Sequence, residues 1–363
     1  MNGETGTREL ADGRPGYRLV RREDVALVDA LPGRSTGLTT CRLVDGTLGS
    51  THMALTLVSL AAGQVDEHLH SFETSFYVLE GEPVLYLEGR GVKLRPAACG
   101  AIPVGTPHAF RSDGRALWIE MASPRPRIDG SDTFFLGLAP DTEGDALDAR
   151  DPRNHNLFLL TEGEMDLEAL KQGQAMAAPA VSGSMATAVL AYSGIAVKML
   201  VDQRLDAQLH TMFMVDYQPR ACANPHDHPF EESYYMLEGE VDVVANGDRH
   251  TLRPGDAFWT GTGCVHAFYE TQGGRVRWLE TSAPGPPPRH SYRHERDWDY
   301  LAGRLASGRL VRLGDVSVAS GRAYFAVCSP AARARPEVKR FLEWLVTYSR
   351  RSVKSRATLA AVG

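Results

Sequence analysis

The sequence predicts an all-β chain in which one β-sandwich or barrel unit is written twice, and three observations carry this. Short runs rich in Val, Tyr, Phe and Leu alternate with turn signals such as Asn246-Gly247-Asp248 and Pro254-Gly255-Asp256, the rhythm of sandwiches and barrels. Helical periodicity is confined to residues 162–173 and the far C-terminus. The stretch HLHSFETSFYVLEGE (68–82) returns as HDHPFEESYYMLEGE (226–240) with ten of its fifteen letters kept, and a fixed offset of this kind marks a duplication.

The repeat runs well beyond these fifteen residues. His226, Gly239 and His266 each follow their counterparts His68, Gly81 and His108 by 158 residues. Upstream, THMALTLVSLAA (51–62) lies over LHTMFMVDYQPR (209–220), which sets His52 over His210. Downstream, 95–110 lies over 253–268. After a two-residue insertion LWIEMASPRPR lies over RWLETSAPGPP, pairing Glu120 with Glu280. The chain therefore divides into an N-terminal arm (1–35), a first unit (36–128), a crossover (129–175), a second unit (176–288) and a C-terminal extension (289–363). APGPPPRH (283–290) reads as the stiff linker that closes the second unit.

Composition bounds the function. At 363 residues, 43% hydrophobic and 23% charged, the chain is long enough for two sizeable cores. A net charge of −6 gives no general reason for a nucleic-acid partner. The charge is uneven: residues 321–363 carry nine Lys/Arg against two Glu. No apolar run is long enough to span a membrane, and the first ten residues do not form a signal peptide, so the expected setting is the cytoplasm, away from membranes. Five cysteines, odd in number and without Cys-x-x-Cys spacing, read as reduced thiols.

The chemistry lies in the repeated histidines. On a strand, His226 and His228 face the same way; after the turn at Pro229-Phe230, Glu232 starts the next strand on the same interior, and His266 arrives from a later one. Three imidazoles and a carboxylate suit a divalent transition metal with positions left for water or substrate. The first copy keeps His68, His70 and His108 but has Thr74 where the second has Glu232. Adjacent Glu73 and Glu231 should point to the opposite face. Tyr234 and Met236 share the parity of Glu232, so they line the substrate pocket or fill the core. His210 lines the pocket or packs, and so does His52. Glu120 and Glu280 read as rim salt-bridge residues, and Cys222 and Cys264 as small buried hydrophobes.

The pattern His226-x-His228, three residues, Glu232, six residues, Gly239 resembles the first motif of the cupin family. Gly261-Thr-Gly-Cys-Val-His266 resembles the second, with Gly replacing its Pro; the first copy has Pro103-x-Gly105-x-x-His108. The resemblance spans roughly 40–285 and implies a bicupin: two double-stranded β-helix (jelly-roll) barrels, with a small mixed α/β extension after them. It implies metal ligands His226, His228, Glu232 and His266, and a weaker site at His68, His70 and His108, since gentisate dioxygenase-type cupins hold iron with three histidines. The cofactor it implies is Fe(II) first, with Mn(II), Ni(II), Cu(II) or Zn(II) as alternatives. The partner is a small-molecule substrate, and a homo-oligomer is open.

The family holds many chemistries, and the fold does not choose among them. The reading it favours is a dioxygenase of the quercetinase or gentisate dioxygenase type, with Glu232 able to act as base. A non-oxidative enzyme (ureidoglycine aminohydrolase-like, an isomerase or a decarboxylase) and a non-catalytic binder are the other readings. Residues 305–345 resemble the last part of the effector-binding domain of LysR-type regulators, without the helix-turn-helix. PEVKRFLEWLVTY (336–348) shows a helical apolar stripe at 338, 341, 342 and 345.

Overall fold

The computed structural model describes residues 16–165, 189–190, 194–271, 273–285, 293–294 and, within 335–344, all but 337 and 342. The chain divides into two units, Met1–Glu295 and Arg296–Gly363. Of the second, the described residues between 336 and 344 are helical. The LysR-like stretch otherwise lies outside the described residues, as does the helical pattern of 162–173 beyond the 3-10 turn Glu162–Met165. No described helix is long and apolar enough to cross a membrane.

Within the first unit the predicted all-β architecture is present as two β-barrels. In the second barrel a seven-stranded sheet (17–20, 257–260, 231–238, 276–283, 211–217, 195–201 and 189–190) faces a five-stranded one (248–252, 241–245, 266–270, 222–227 and 293–294). Between them lie Phe213, Tyr234, Met236, Val243, Phe258, Phe268 and Trp278. In the first barrel a single twelve-stranded sheet curls round its own core. It stays continuous because the strand Ala54–His70 is seventeen residues long. It pairs with Ala116–Ser123 at its start and His108–Ser112 at its end, and its register shifts between Val65 and His68. Alternation splits this strand: Val58 and Leu60 enter the barrel core, while Leu55 and Leu57 join Met212, Met214, Trp259 and Leu279 in a third core between the barrels.

The barrels also exchange strands. Tyr17–Val20 precedes the first barrel yet pairs with Ala257–Thr260 of the second. Leu157–Leu159 precedes the second yet pairs with Ala98–Ile102 of the first. The arm is thus part of the second barrel's sheet, with Tyr17 and Leu19 buried in its core. Each exchanged strand covers an edge that would otherwise present unpaired backbone groups.

Two buried carboxylates repeat the exchange. Glu231 accepts bonds from Ser50 Oγ (2.6 Å), Thr51 N (2.8 Å) and Thr51 Oγ1 (2.6 Å) of the first barrel. Glu73 accepts from Gln208 N (2.7 Å) and Leu209 N (3.0 Å) of the second, with His210 Nδ1 2.9 Å away. Both carboxylates face away from their own barrels, as strand alternation requires. The register corrects one sequence pairing. Ala54 opposes Ala122 and Thr211 opposes Ser282, so His210 stands at the place of Met53, one residue out from His52. It sits on Glu73 at the barrel junction, and the pocket role expected for it loses its footing.

Truncating Leu19 to Ala should cost roughly 2–5 kcal/mol, the range for emptying a buried leucine site, although the residue belongs to an N-terminal arm. Urea unfolding followed by tryptophan fluorescence would measure it. A loss below about 0.5 kcal/mol, the size of an ordinary surface substitution, would show that the arm is not part of the second barrel.

Candidate metal centres

Two histidine triads, one per barrel, bring their ring nitrogens within 4.8 Å of one another. Both are built the same way. The glycines preceding the third histidine, Gly105 and Gly263, take left-handed backbone (φ +75° and +76°). Their N–H groups donate to the carbonyls of His70 (2.8 Å) and His228 (3.0 Å). A residue with a Cβ would be strained there, so the second motif's glycine ties the loop before His108 or His266 to the His-x-His strand. That contact leaves open whether Pro or Gly stands two residues earlier.

Backbone carbonyls fix the rings. His226 Nδ1 lies 2.6 Å from Asn224 O, His228 Nδ1 2.8 Å from Phe230 O, and His266 Nδ1 2.9 Å from Cys264 O. In the first barrel His68 Nδ1 meets Asp66 O at 2.7 Å and His108 Nδ1 meets Thr106 O at 2.9 Å. A carbonyl only accepts, so Nδ1 carries the proton in these five rings and Nε2 is turned to the common centre. This is how metal-ligating histidines are oriented. His70 differs, with Thr133 Oγ1 3.1 Å from its Nδ1. Phe72 stacks on His70 (4.1 Å, 15°) and Phe230 on His228 (4.2 Å, 4°).

Around these triads the barrels diverge. In the second, Glu232 Oε2 lies 2.6 Å from His228 Nε2 and 3.7 Å from His266 Nε2. Tyr234 donates its hydroxyl to that oxygen at 2.6 Å and lies 3.0 Å from His266 Nε2, while Ser282 Oγ donates to Oε1 at 3.2 Å. All are buried. Burial opposes ionisation of Glu232, but the His228 and His266 rings hold its carboxyl well below the usual range. Burial likewise opposes a charge on His228, yet Glu232 raises its pKa above the ordinary value. His226 is driven down to about 3, by burial first and then by His266. A buried oxygen anion beside three oriented imidazoles is a donor set that fits a divalent transition ion, which would take the place of the proton on His228 Nε2.

The first barrel has no such anion. Thr74, on the strand Glu73–Glu80, opposes Ile102 and Ala122, and its buried hydroxyl has no hydrogen-bond partner. Phe76 replaces Tyr234. Burial, then the neighbouring histidines, drives His70 to about 2, and burial then His68 drives His108 to about 3. His68 is lowered too, with burial outweighing the Asp66 carbonyl. One cation was missed from the sequence. Arg42 donates from Nη1 to Thr56 Oγ1 at 3.2 Å, and its charge reaches both His70 and Glu120. By register it stands where the second barrel has Met199; it lies upstream of the repeated letters, so no motif flagged it.

Glu280 corrects another expectation. It is buried, accepts from Trp278 Nε1 at 2.9 Å and makes no salt bridge among the described residues. Burial first and the Glu232 charge second lift its carboxyl well above the usual range. Met236 packs in the barrel core beside Tyr234, and Cys264 and Cys222 are buried without approaching the triad as ligands.

The cupin domain model matches residues 56–121 and 213–282. Solved structures share the two-barrel fold at low identity. A salicylate 1,2-dioxygenase from Pseudoaminobacter salicylatoxidans, with gentisate adducts, superposes with a TM-score of 0.57 at 14% identity, covering 74% of this chain and 81% of that one. A putative glyoxylate-induced protein from Pseudomonas aeruginosa gives 0.54 at 18%, covering 82% and 97%. A Lactobacillus farciminis oxalate decarboxylase in complex with formate gives 0.54 at 14%, covering 79% and 93%. No curated protein matches the chain in sequence.

The two triads should differ in proton linkage. Burial lowers all three of the first barrel's rings below the ordinary imidazole value, so its Zn(II) affinity should change less from pH 8 to 5 than that of the second. Metal at the second must displace the proton that Glu232 holds on His228, so its affinity should fall as pH drops through that raised pKa. Calorimetry on His70→Ala/His108→Ala and His228→Ala/His266→Ala proteins separates the sites. Equal pH slopes would contradict the assignment.

Proposed function

We propose that the chain is a metal-dependent bicupin enzyme acting on a small organic molecule, with its reaction centre in the second barrel and O2 as co-substrate. The observation that carries this reading is the set of three Nε2 atoms fixed by carbonyls with an ionised Glu232 beside them. His226, His228 and His266 would hold the ion, Fe(II) first among divalent metals, with Glu232 as fourth ligand. Bound there, the ion would supply a Lewis acid and a template for O2 and an oxygen-bearing substrate.

The remaining steps belong to the chain. Glu232, kept ionised by its neighbours, accepts a proton from a substrate hydroxyl or carbon acid. Tyr234, whose own ionisation burial and then Glu232 oppose, keeps its proton and can turn the hydroxyl hydrogen bond it gives Glu232 toward a substrate oxyanion. Phe258, Phe268 and Trp278 close the interior against water. Fold relatives include a salicylate 1,2-dioxygenase with gentisate adducts, which makes dihydroxybenzoates the first substrates to try.

One observation favours a second reading. Burial first and the Glu232 charge second lift the Glu280 carboxyl well above the usual range, and a carboxylic acid beside a carboxylate can deliver a proton to carbon without O2, as a decarboxylation or isomerisation needs.

Oxygen uptake by protein reconstituted anaerobically with Fe(II) decides between them. Turnover coupled to O2 consumption is expected, with His228→Ala abolishing it and His70→Ala leaving most of it. Product formed in the absence of O2 would move the assignment to the non-oxidative class. Equal losses from the two substitutions would refute the choice of barrel.

A further inference from the structure

The two carboxylates that cross the barrel junction sit immediately beside the metal-site positions. Glu231 precedes Glu232, and Glu73 precedes Thr74. Glu231 is fully engaged by the first barrel's loop, through Ser50 Oγ, Thr51 N and Thr51 Oγ1 at 2.6–2.8 Å and His52 N at 3.3 Å. Among the described residues of its own barrel it takes only Trp259 Nε1, at 3.3 Å. That loop leads directly into the strand Ala54–His70, which carries two histidines of the other triad.

From this arrangement we infer that Glu231 is a positioning residue for the second metal centre, and that loop 50–52 of the first barrel completes that centre from outside. The reasoning is mechanical. On a strand, adjacent side chains point to opposite faces, so the direction of Glu232 into the barrel is tied to that of Glu231 out of it. A buried carboxylate has to satisfy its lone pairs, and here nearly all of the donors lie on the first barrel. Their grip fixes the height and tilt of the strand Glu231–Glu238 at its first residue. Glu232 Oε2 is thereby held within 2.6 Å of His228 Nε2. Loosening the grip frees the strand end and spreads the carboxylate over positions that no longer meet the imidazoles. The other direction holds as well. Glu73 binds the loop before Thr211, and Thr211 opposes Ser282, whose hydroxyl donates to Glu232 Oε1. Both crossings therefore converge on the second centre, while the first has no carboxylate of its own to position.

The inference rests on the second barrel holding metal, and its test keeps the two claims apart. In a His70→Ala/His108→Ala background, only the second barrel can bind. Mn(II) alone is titrated and the free ion followed by EPR. Thr51→Val, which alters a residue of the first barrel and touches no ligand, should weaken Mn(II) binding several-fold, short of the roughly 10–100-fold that follows loss of a group bonded directly to a metal ligand. Glu231→Gln, which keeps one acceptor oxygen, should weaken it less than Glu231→Ala. As a control for stability alone, Leu85→Ala in the first barrel's core should lower the midpoint of urea unfolding and leave Mn(II) affinity unchanged. Equal affinity in Thr51→Val, Glu231→Gln and the background protein would overturn the inference while leaving the metal reading intact. Mn(II) affinity that falls with Leu85→Ala as much as with Thr51→Val would also overturn it, because general loosening would then account for the loss. Absence of binding in the background protein would instead remove the metal reading and the inference with it.

Discussion

Everything at the two centres depends on how a buried imidazole is satisfied. A ring removed from water has two nitrogens to place, and an unmet one costs about 1–3 kcal/mol. Five of the six triad histidines give Nδ1–H to a main-chain carbonyl, four of them to the carbonyl two residues before and His228 to the one two residues after. Such local bonds need only the ordinary extended backbone of these strands. They leave Nε2 with no outlet except the centre, so the fold presents converged lone pairs as a by-product of satisfying its own main chain. The stacked Phe72 and Phe230 then limit ring tilt.

With that scaffold common to both halves, small replacements set their character. Exchanging Glu232 for Thr74 and Tyr234 for Phe76 removes an anion and a hydroxyl and leaves a neutral triad with one nearby arginine. In the second barrel the anion reverses the electrostatics: it raises the pKa of His228 against the pull of burial, and it adds to burial, the larger cause, in lifting the carboxyl of Glu280. Two carboxyls whose environments drive them apart mark a centre equipped for proton transfer. The first barrel also serves the second through the exchanged strands and the crossing carboxylates, which gives the duplicated chain a reason to keep both copies.

Much of this was legible in the sequence because it depends on period. The offset repeat is read as letter identity, and the alternation of strands and the same-face placement of His226, His228 and Glu232 follow from a two-residue side-chain period. So does the outward direction of Glu73 and Glu231. What escaped depended on long-range pairing. Nothing in the letters of 17–20 says that this arm joins a strand some 240 residues later, since exchange is set by which edge is open rather than by local propensity. The one-residue slip that moves His210 off His52 lies between the strand registers of the two barrels, which no repeated letter marks. Glu280 looked like a rim residue because a Glu after Trp on a late strand carries no label of depth. Its burial follows from register: it stands opposite Tyr234, and directly opposed residues share one face of the sheet. Arg42 lies outside the repeated motifs and could be recognised only once Thr56 and His70 were seen beside it.

The central claim is that the second barrel's three imidazoles and Glu232 form the coordination sphere of a divalent ion. X-ray absorption at the metal edge tests it most directly, on protein with the first triad removed by His70→Ala/His108→Ala and loaded with one equivalent of Zn(II). The account requires three imidazole scatterers at about 2.0–2.1 Å and a carboxylate oxygen at about 2.0–2.2 Å, the distances such ligands adopt. Replacement of Glu232 by Gln should remove or lengthen the oxygen shell while the imidazoles persist. A spectrum with no imidazole scattering, matching the hydrated ion, would contradict the account at its root.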